Sequence, residues 1–157
     1  MKDLLYVFLV LAGMNCISCN NRGANCPEVQ ITAHPSEVNQ IQQYLETKNI
    51  SAQKDERGFY YTIDKKGSGK HPDACSNVTV GYVGKLTNNT VFDQTDKISF
   101  DLKNLIAGWQ EGIPLIGEGG EITLYLPPSL GYGSRDSGPI PPNSITIFTI
   151  TLHKVNN

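Results

Sequence analysis

Apolar residues recur at helical spacing between residues 34 and 49, where Val38, Ile41 and Leu45 fall on one face. The run from His34 to Glu37 predicts the start of this helix, because proline is favoured at the first helical position and acidic residues in the first turn. Lys48-Asn49 predicts its end, since asparagine readily takes the left-handed conformation. We expect a short amphipathic helix packed on the main domain, with a dimerisation helix as the alternative.

Apolar and polar residues alternate further along the chain, as is typical of half-buried strands. The stretch from Gly58 to Ile63 is one candidate strand, and Asn88-Asn89 predicts a hairpin turn because asparagine tolerates a positive φ. The alternating triplets that predict the other strands are Val78, Val80 and Tyr82; Ile98, Phe100 and Leu102; Ile122, Leu124 and Leu126; and Phe148, Ile150 and Leu152.

One short helix is predicted among these strands. Its apolar residues at helical spacing are Leu105, Ile106, Trp109 and Ile113. Gly112 and Pro114 end it after about two turns. Several strands and one short helix, without a repeated strand-helix-strand order, indicate an α+β domain in which an antiparallel sheet wraps around the helix.

The charge balance excludes some functions. The 157 residues carry a formal net charge of −2, and Lys65-Lys66 is the longest basic run, so nucleic-acid binding is not expected. The string from Gly67 to Lys70 is only superficially like a phosphate-binding loop, which needs a glycine where Asp64 stands and serine or threonine where His71 stands. No Ser-His-Asp or Cys-His arrangement indicates a nucleophile, so conventional hydrolysis is not expected.

The N-terminal residues follow a different pattern. Lys2 precedes an apolar run from Leu4 to Met14, which is shorter than the stretch of about 20 residues that a membrane-spanning helix needs. Cys19 then follows a small residue, which resembles the processing site of a bacterial lipoprotein. We therefore expect residues 1–18 to be a signal peptide and Cys19 to be lipidated. Cys16 is a weaker candidate, and an ordinary cleaved secretory signal is the alternative.

Residues 19–33 contain three asparagines and one glycine and have little apolar pattern, so we expect a flexible tether there. The N-terminal helical extension then covers residues 34–57, and the main domain covers residues 58–157.

Cys26 and Cys75 are the thiols that remain after processing at Cys19. In an oxidising compartment they form either a disulfide or two independent thiols, and the sequence leaves both open. Metal binding is not expected. The histidines are scattered and lack ligand spacing; they are His34, His71 and His153.

Several specific sequence motifs accompany the predicted strands and helix. They are Val80-Gly81-Tyr82-Val83-Gly84, Val91-Phe92-Asp93, Leu105-Ile106-Ala107-Gly108-Trp109, Leu126-Pro127-Pro128, Gly131-Tyr132-Gly133 and Ile140-Pro141-Pro142-Asn143. In this order and spacing they resemble the FKBP family of peptidyl-prolyl cis/trans isomerases. The resemblance covers about residues 76 to 154, and it implies an FKBP-like antiparallel sheet around a short central helix.

The resemblance also implies a role for each site residue. Trp109 would form the floor of an apolar pocket, and the Ile106 N–H and the Tyr132 hydroxyl would hold substrate carbonyl oxygens. Asp93 would point inward, in a catalytic or a structural role, and Ile140 would line the rim. The walls would be formed by Tyr82, Phe92, Phe100, Leu105 and Phe148, of which Tyr82 joins Asp93 and Tyr132 as a catalytic residue.

The chain departs from the family pattern in two places. Gly81 stands where the family commonly has histidine, and the loop that we expect after Asp93, from Gln94 to Lys97, is short. Neither departure removes a pocket wall.

Prolyl isomerisation fits this chemistry because no covalent bond is made or broken, and the obstacle is an amide rotation barrier of about 18 to 20 kcal/mol. No cofactor is expected. The partners implied are proline-containing polypeptides, macrolide inhibitors and a membrane, which the protein reaches through its lipid anchor. We expect a monomer that faces the periplasm in a bacterial cell envelope. The alternatives are a non-catalytic proline-binding module or holdase chaperone, and a structural lipoprotein.

Overall fold

The computed structural model describes residues 29–156 of the chain. The predicted signal peptide, the lipidation at Cys19 and the thiol of Cys26 lie outside the described residues. Most of the predicted tether, residues 19–33, lies outside them as well.

The N-terminal helix α1 spans Pro35–Thr47, with His34 as its N-cap and Lys48 as its C-cap. Asn49 follows with a φ of 54°. Both ends of the helix therefore match the prediction. The residues on its buried face are the three predicted ones, Val38, Ile41 and Leu45.

Six strands form one antiparallel sheet in the order β1-β2-β5-β6-β3-β4. Their bounds are Gln53–Lys54 for β1, Tyr60–Lys65 for β2, Asn77–Leu86 for β3, Val91–Asp101 for β4, Glu121–Leu126 for β5 and Thr146–Asn156 for β6. The two-residue strand β1 was not predicted, because it is too short to show an alternating pattern. The predicted α+β fold is confirmed.

The predicted loop from Gln94 to Lys97 is wrong, since these residues belong to β4. Gln94 pairs with Val83 and Thr95 pairs with Tyr82. The segment reads as a loop because β4 is an edge strand, and an edge strand that is open to solvent carries polar residues. Leu102, which we expected in this strand, lies instead in a 3₁₀ helix, Leu102–Asn104.

The central helix α2 spans Ala107–Gly112 and continues as a 3₁₀ helix over Ile113–Leu115. It lies close to β5. A β-carbon at Gly108 would lie 2.4 Å from a side-chain atom of Leu126, and one at Gly112 would lie 2.6 Å from Leu124. The two glycines therefore allow α2 to lie closer to β5 than any residue with a larger side chain would.

One hydrophobic cluster joins both helices to the sheet. It includes Trp109 on α2 and the buried face of α1, together with residues from β2, β3, β5 and β6. Tyr44 on α1 also packs on Tyr125 of β5, with 6.4 Å between ring centroids. The N-terminal extension thus shares its core with the sheet.

Candidate active site

A cavity of about 210 Å³ opens between the central helix and the sheet. This volume lies below the range of about 300 to 1,000 Å³ that is usual for small-molecule sites, so the cavity suits a small ring. Its lining residues are Tyr82, Asp93, Phe100, Leu105, Ile106, Trp109, Tyr132 and Phe148. All eight are among the ten residues that the sequence predicts for the site.

Trp109 is held within the cavity lining by aromatic contacts. Its ring meets those of Tyr82, Phe148 and Phe100 edge to face, with centroid distances of 5.0, 5.2 and 6.2 Å. The residue is 4% exposed, and its Nε1 has no hydrogen-bond partner among the described residues. Ring packing, rather than a hydrogen bond, therefore fixes the indole.

Phe92 and Asp93 are consecutive, yet both face the side of the sheet that carries the cavity. In a regular strand their side chains would point to opposite faces. Asp93 pairs with Gly84, whereas Val91 pairs with Lys85, so Phe92 is an extra residue in β4. Such a bulge re-aims a side chain. The Phe92 ring packs on Phe148 and Tyr132, at 5.5 and 6.1 Å, behind the residues that line the cavity.

Asp93 lies where the cavity meets solvent, because the residue is exposed and also lines the cavity. Its Oδ2 accepts a 2.5 Å hydrogen bond from the Tyr82 hydroxyl. Burial raises the pKa of Tyr82 well above its ordinary value, and the hydrogen bond to Asp93 raises it further. The Tyr82 hydroxyl therefore remains a donor at neutral pH.

Tyr132 lies in a tight turn after the 3₁₀ helix Pro128–Leu130. The N–H groups of Gly131 and Gly133 both donate to the Pro128 carbonyl oxygen, at 3.0 and 2.8 Å. Burial, and then the charge of Asp93, raise the pKa of Tyr132. The turn thus presents a neutral hydroxyl to the cavity.

Ile106 precedes α2 and has an extended backbone, with φ −59° and ψ 148°. Its carbonyl oxygen accepts from the N–H groups of Trp109 and Gln110, whereas its own N–H has no bonded acceptor within residues 29–156. The Gln110 side chain donates to the Leu105 carbonyl oxygen at 2.7 Å and steadies the segment. Sequence reasoning missed Gln110, because no pattern distinguishes it from any other polar residue on a helix.

Ile140 does not line the cavity. It is 3% exposed, and it exchanges two backbone hydrogen bonds of 3.1 Å with Ser137. These bonds close the tight turn at Gly138-Pro139, at the end of the polar loop that runs from Gly133 to Pro139. Ile140 and Phe92 are the two predicted site residues that stand outside the cavity lining.

Gly81 has a structural reason to lack a side chain. A β-carbon there would lie 2.5 Å from the Asp96 carbonyl oxygen and 3.0 Å from His153 Nε2. The His153 imidazole donates to this same carbonyl at 3.0 Å. The Asp96 carbonyl group of β4 and the His153 side chain of β6 thus fill the space that a side chain at position 81 would need.

Cys75 is exposed and disulfide-bonded. It is the sole cysteine among residues 29–156, so its partner lies outside the described residues. In that same range no three His, Cys, Asp or Glu side chains are grouped as metal ligands, and no helix is long and apolar enough to cross a membrane.

Comparison with known proteins gives consistent matches. The model of the family described as FKBP-type peptidyl-prolyl cis-trans isomerase matches residues 68–153. The FKBP-type peptidyl-prolyl cis-trans isomerase FkpA of Buchnera aphidicola subsp. Schizaphis graminum is 43% identical over 122 residues, which cover 74% of this chain and 48% of that protein.

Solved structures agree with this match. The crystal structure of FkpA from Escherichia coli has a TM-score of 0.70 and 32% identity, covering 76% of this chain and 59% of that one. A peptidyl-prolyl cis-trans isomerase from Pseudomonas syringae pv. tomato has a TM-score of 0.69 and 26% identity, covering 80% of this chain and 99% of that one. The chain spans about half the length of the relatives that its sequence matches.

Proposed function

Because the chain belongs to the family of FKBP-type peptidyl-prolyl cis-trans isomerases, we propose that it accelerates the cis/trans isomerisation of X-Pro bonds in polypeptides. One observation carries the proposal: the cavity is lined by apolar and aromatic side chains, with hydroxyl groups and one carboxylate at its edge. The cavity is sized for a small ring, and proline is the residue whose side chain is such a ring.

The reaction requires the amide to lose its planarity. The planar amide is stabilised by resonance and carries charge separation, which the twisted state largely loses. An apolar cavity that excludes water therefore favours the twisted form relative to the planar one. Since each 1.36 kcal/mol is about tenfold in rate, a few kcal/mol of such discrimination is enough for useful catalysis.

We propose that two hydrogen-bond donors orient the substrate. The Ile106 N–H and the Tyr132 hydroxyl both belong to residues that line the cavity, and we assign them to carbonyl oxygens on either side of the proline. The Tyr82 hydroxyl is engaged by Asp93. We assign two roles to this pair: it fixes the side chains at the opening of the cavity, and it places negative charge beside the twisting amide.

A refolding or protease-coupled assay on X-Pro peptides tests the proposal. We expect the purified protein to shorten a conversion that takes about 10 to 100 s without catalyst at 25 °C. Folded protein that accelerates none of several X-Pro peptides, yet suppresses the aggregation of unfolded proteins, would favour the holdase alternative. A macrolide inhibitor of the family should compete for the same cavity, and sedimentation should show a monomer.

We further propose that the protein acts on exported proteins in the bacterial cell envelope, anchored through lipidated Cys19 and facing the periplasm. The support is the apolar run from Leu4 to Met14 and the small residue before Cys19. Cys19→Ser should release the protein from membranes, whereas the matched change Cys16→Ser should not. An N-terminus elsewhere, without acyl mass in the intact mature protein, would overturn this assignment.

A further inference from the structure

The N-terminal extension contacts the segment that carries Tyr132. The Ser129 hydroxyl donates to Glu37 Oε2 at 2.5 Å, which joins the first turn of α1 to the 3₁₀ helix Pro128–Leu130. Both residues are half-buried. A hydrogen bond from a hydroxyl to a carboxylate is charge-assisted, and such bonds are about twice as strong as those between neutral groups.

Glu37 stands on a helix that is itself well fixed. The buried residues of α1 are anchored in the common core, and Ile41 among them is fully buried. Because this apolar contact already attaches α1 to the sheet, the helix does not need the bond to Ser129 to stay in place. The bond instead connects a fixed helix to a short turn.

That turn continues directly into Tyr132. The Pro128 carbonyl oxygen accepts from both Gly131 and Gly133, so the residues on either side of Tyr132 are bonded to the residue next to Ser129. A shift of Ser129 would therefore be passed to the Tyr132 backbone within three residues. The bond to Glu37 restrains such a shift from the side of α1, in addition to the buried neighbours Pro128 and Leu130.

A second contact joins the same extension to the helix that carries Trp109. Arg57, in the turn between β1 and β2, forms a salt bridge of 3.2 Å with Glu111 of α2. Glu111 lies two residues after Trp109. The side chains of the pair are 18% and 22% exposed, so solvent screens this bridge less than a surface pair.

We propose that the N-terminal extension positions the cavity, with Glu37 as the positioning residue for the Tyr132 hydroxyl and Arg57 as a second support for α2. The inference rests on the proposed function, in which that hydroxyl contacts the substrate. The matched family model begins at residue 68, after both Glu37 and Arg57. The extension thus adds a support to the family's own site residues.

The first test does not depend on catalysis. Amide hydrogen exchange of Gly131 and Gly133 should be faster in Glu37→Gln and Ser129→Ala than in the wild type, because their bonds to Pro128 loosen. Glu46→Gln is the matched control, since it makes the same change on the same helix, and Glu46 bonds within α1, to Gln42. Exchange that is unchanged in Glu37→Gln, or equally faster in Glu46→Gln, would overturn the proposal.

The second test is a double-mutant cycle on activity. Glu37→Gln should lower kcat/KM on the order of twofold to fivefold, and less than Tyr132→Phe does, because it displaces the Tyr132 hydroxyl without removing it. In a Tyr132→Phe background the same change should have little effect, since the hydroxyl that Glu37 positions is gone. Ser129→Thr, which keeps a hydroxyl donor, should restore most of the activity that Ser129→Ala loses.

The two tests separate the two claims. A loss of equal size with and without the Tyr132 hydroxyl would show a general structural role and overturn the positioning role. A wild-type protein without isomerase activity would refute the proposed function, and the exchange rates of Gly131 and Gly133 would then decide on the positioning role alone.

Discussion

The Tyr82 hydroxyl and the Asp93 carboxylate are joined by a 2.5 Å hydrogen bond between neighbouring strands, next to the extra residue in β4. The bulge at Phe92 places Asp93 on the cavity side, and the alternation of β3 places Tyr82 on that side as well. One irregularity in an edge strand thus supplies both an aromatic support and the carboxylate of the site.

The bond between Tyr82 and Asp93 should be measurable as a coupling. Tyr82→Phe and Asp93→Asn should each destabilise the fold, and their effects on the free energy of unfolding should be non-additive by about 0.5 to 1.5 kcal/mol. This is less than expected for a buried charged bond, because Asp93 is exposed. Urea unfolding measures it. Asp96→Asn, on the same strand, is the control, and additive effects of the two site variants would contradict the prediction.

Tyr132→Phe should lower kcat/KM about 2- to 12-fold, which corresponds to the loss of a neutral hydrogen bond of about 0.5 to 1.5 kcal/mol. The ring that packs on Phe92 is retained, so the melting temperature should change little. Tyr61→Phe serves as the control, because Tyr61 does not line the cavity. Unchanged activity in Tyr132→Phe would remove this hydroxyl from the mechanism.

Alkaline pH should destabilise the protein through its tyrosines. Burial raises the pKa of four of them, Tyr60, Tyr82, Tyr125 and Tyr132. A raised folded-state pKa contributes stability that is fully present below the unfolded value of about 10 and is lost as the pH rises through the folded value. The free energy of unfolding should therefore fall above about pH 10, where the unfolded chain binds fewer protons than the folded one.

The same shifts make a prediction for catalysis. Because the hydroxyls of Tyr82 and Tyr132 stay protonated, kcat/KM should be flat between about pH 7 and about pH 9.

Tyr82→Phe should reduce the alkaline loss of stability. A free energy of unfolding that stays constant from about pH 8 to about pH 11 would be inconsistent with these pKa shifts.

Gly81→Ala should destabilise the fold by about 1 to 3 kcal/mol, the usual range for overpacking. The new β-carbon would meet the Asp96 carbonyl oxygen, and backbone yields less readily than the end of a side chain. Val83→Ala, on the same strand, changes a side chain that is 39% exposed, and should cost about 0.5 kcal/mol or less. Thermal or urea unfolding compares the two. Equal stability of Gly81→Ala and the wild type would show that β4 can move aside.

The disulfide of Cys75 should prove to join it to Cys26. Closing a loop of this length contributes about 4 kcal/mol on the loop-entropy model, so reduction should lower the melting temperature. Peptide mapping without reduction should yield one linked peptide that contains both residues. Alkylation of Cys26 in unfolded, unreduced protein, or a link from Cys75 to Cys16 or Cys19, would contradict this pairing.

The sequence predicted those parts of the fold whose cause is local. Helix α1 has a proline at its start and an asparagine after its end, and both act within one turn of the chain. Strand β5 shows its alternation because Ile122, Leu124 and Leu126 are fully buried, whereas Glu121 and Thr123 between them are only half-buried. The prediction was wrong for the segment from Gln94 to Lys97, because pairing with β3, and not the composition of the segment, makes it a strand.

For the site, the resemblance of the sequence to the FKBP family identified every residue that lines the cavity, and six of these eight residues lie in the motifs that carry the resemblance. Tertiary structure decided how they meet. The register shift at Phe92 depends on how β4 pairs with β3. The hydrogen bond from Tyr82 to Asp93 joins residues 11 positions apart, and the one from Ser129 to Glu37 joins residues 92 positions apart. A pattern along one segment carries no information on such distances, since strand pairing and the packing of α1 on the sheet set them.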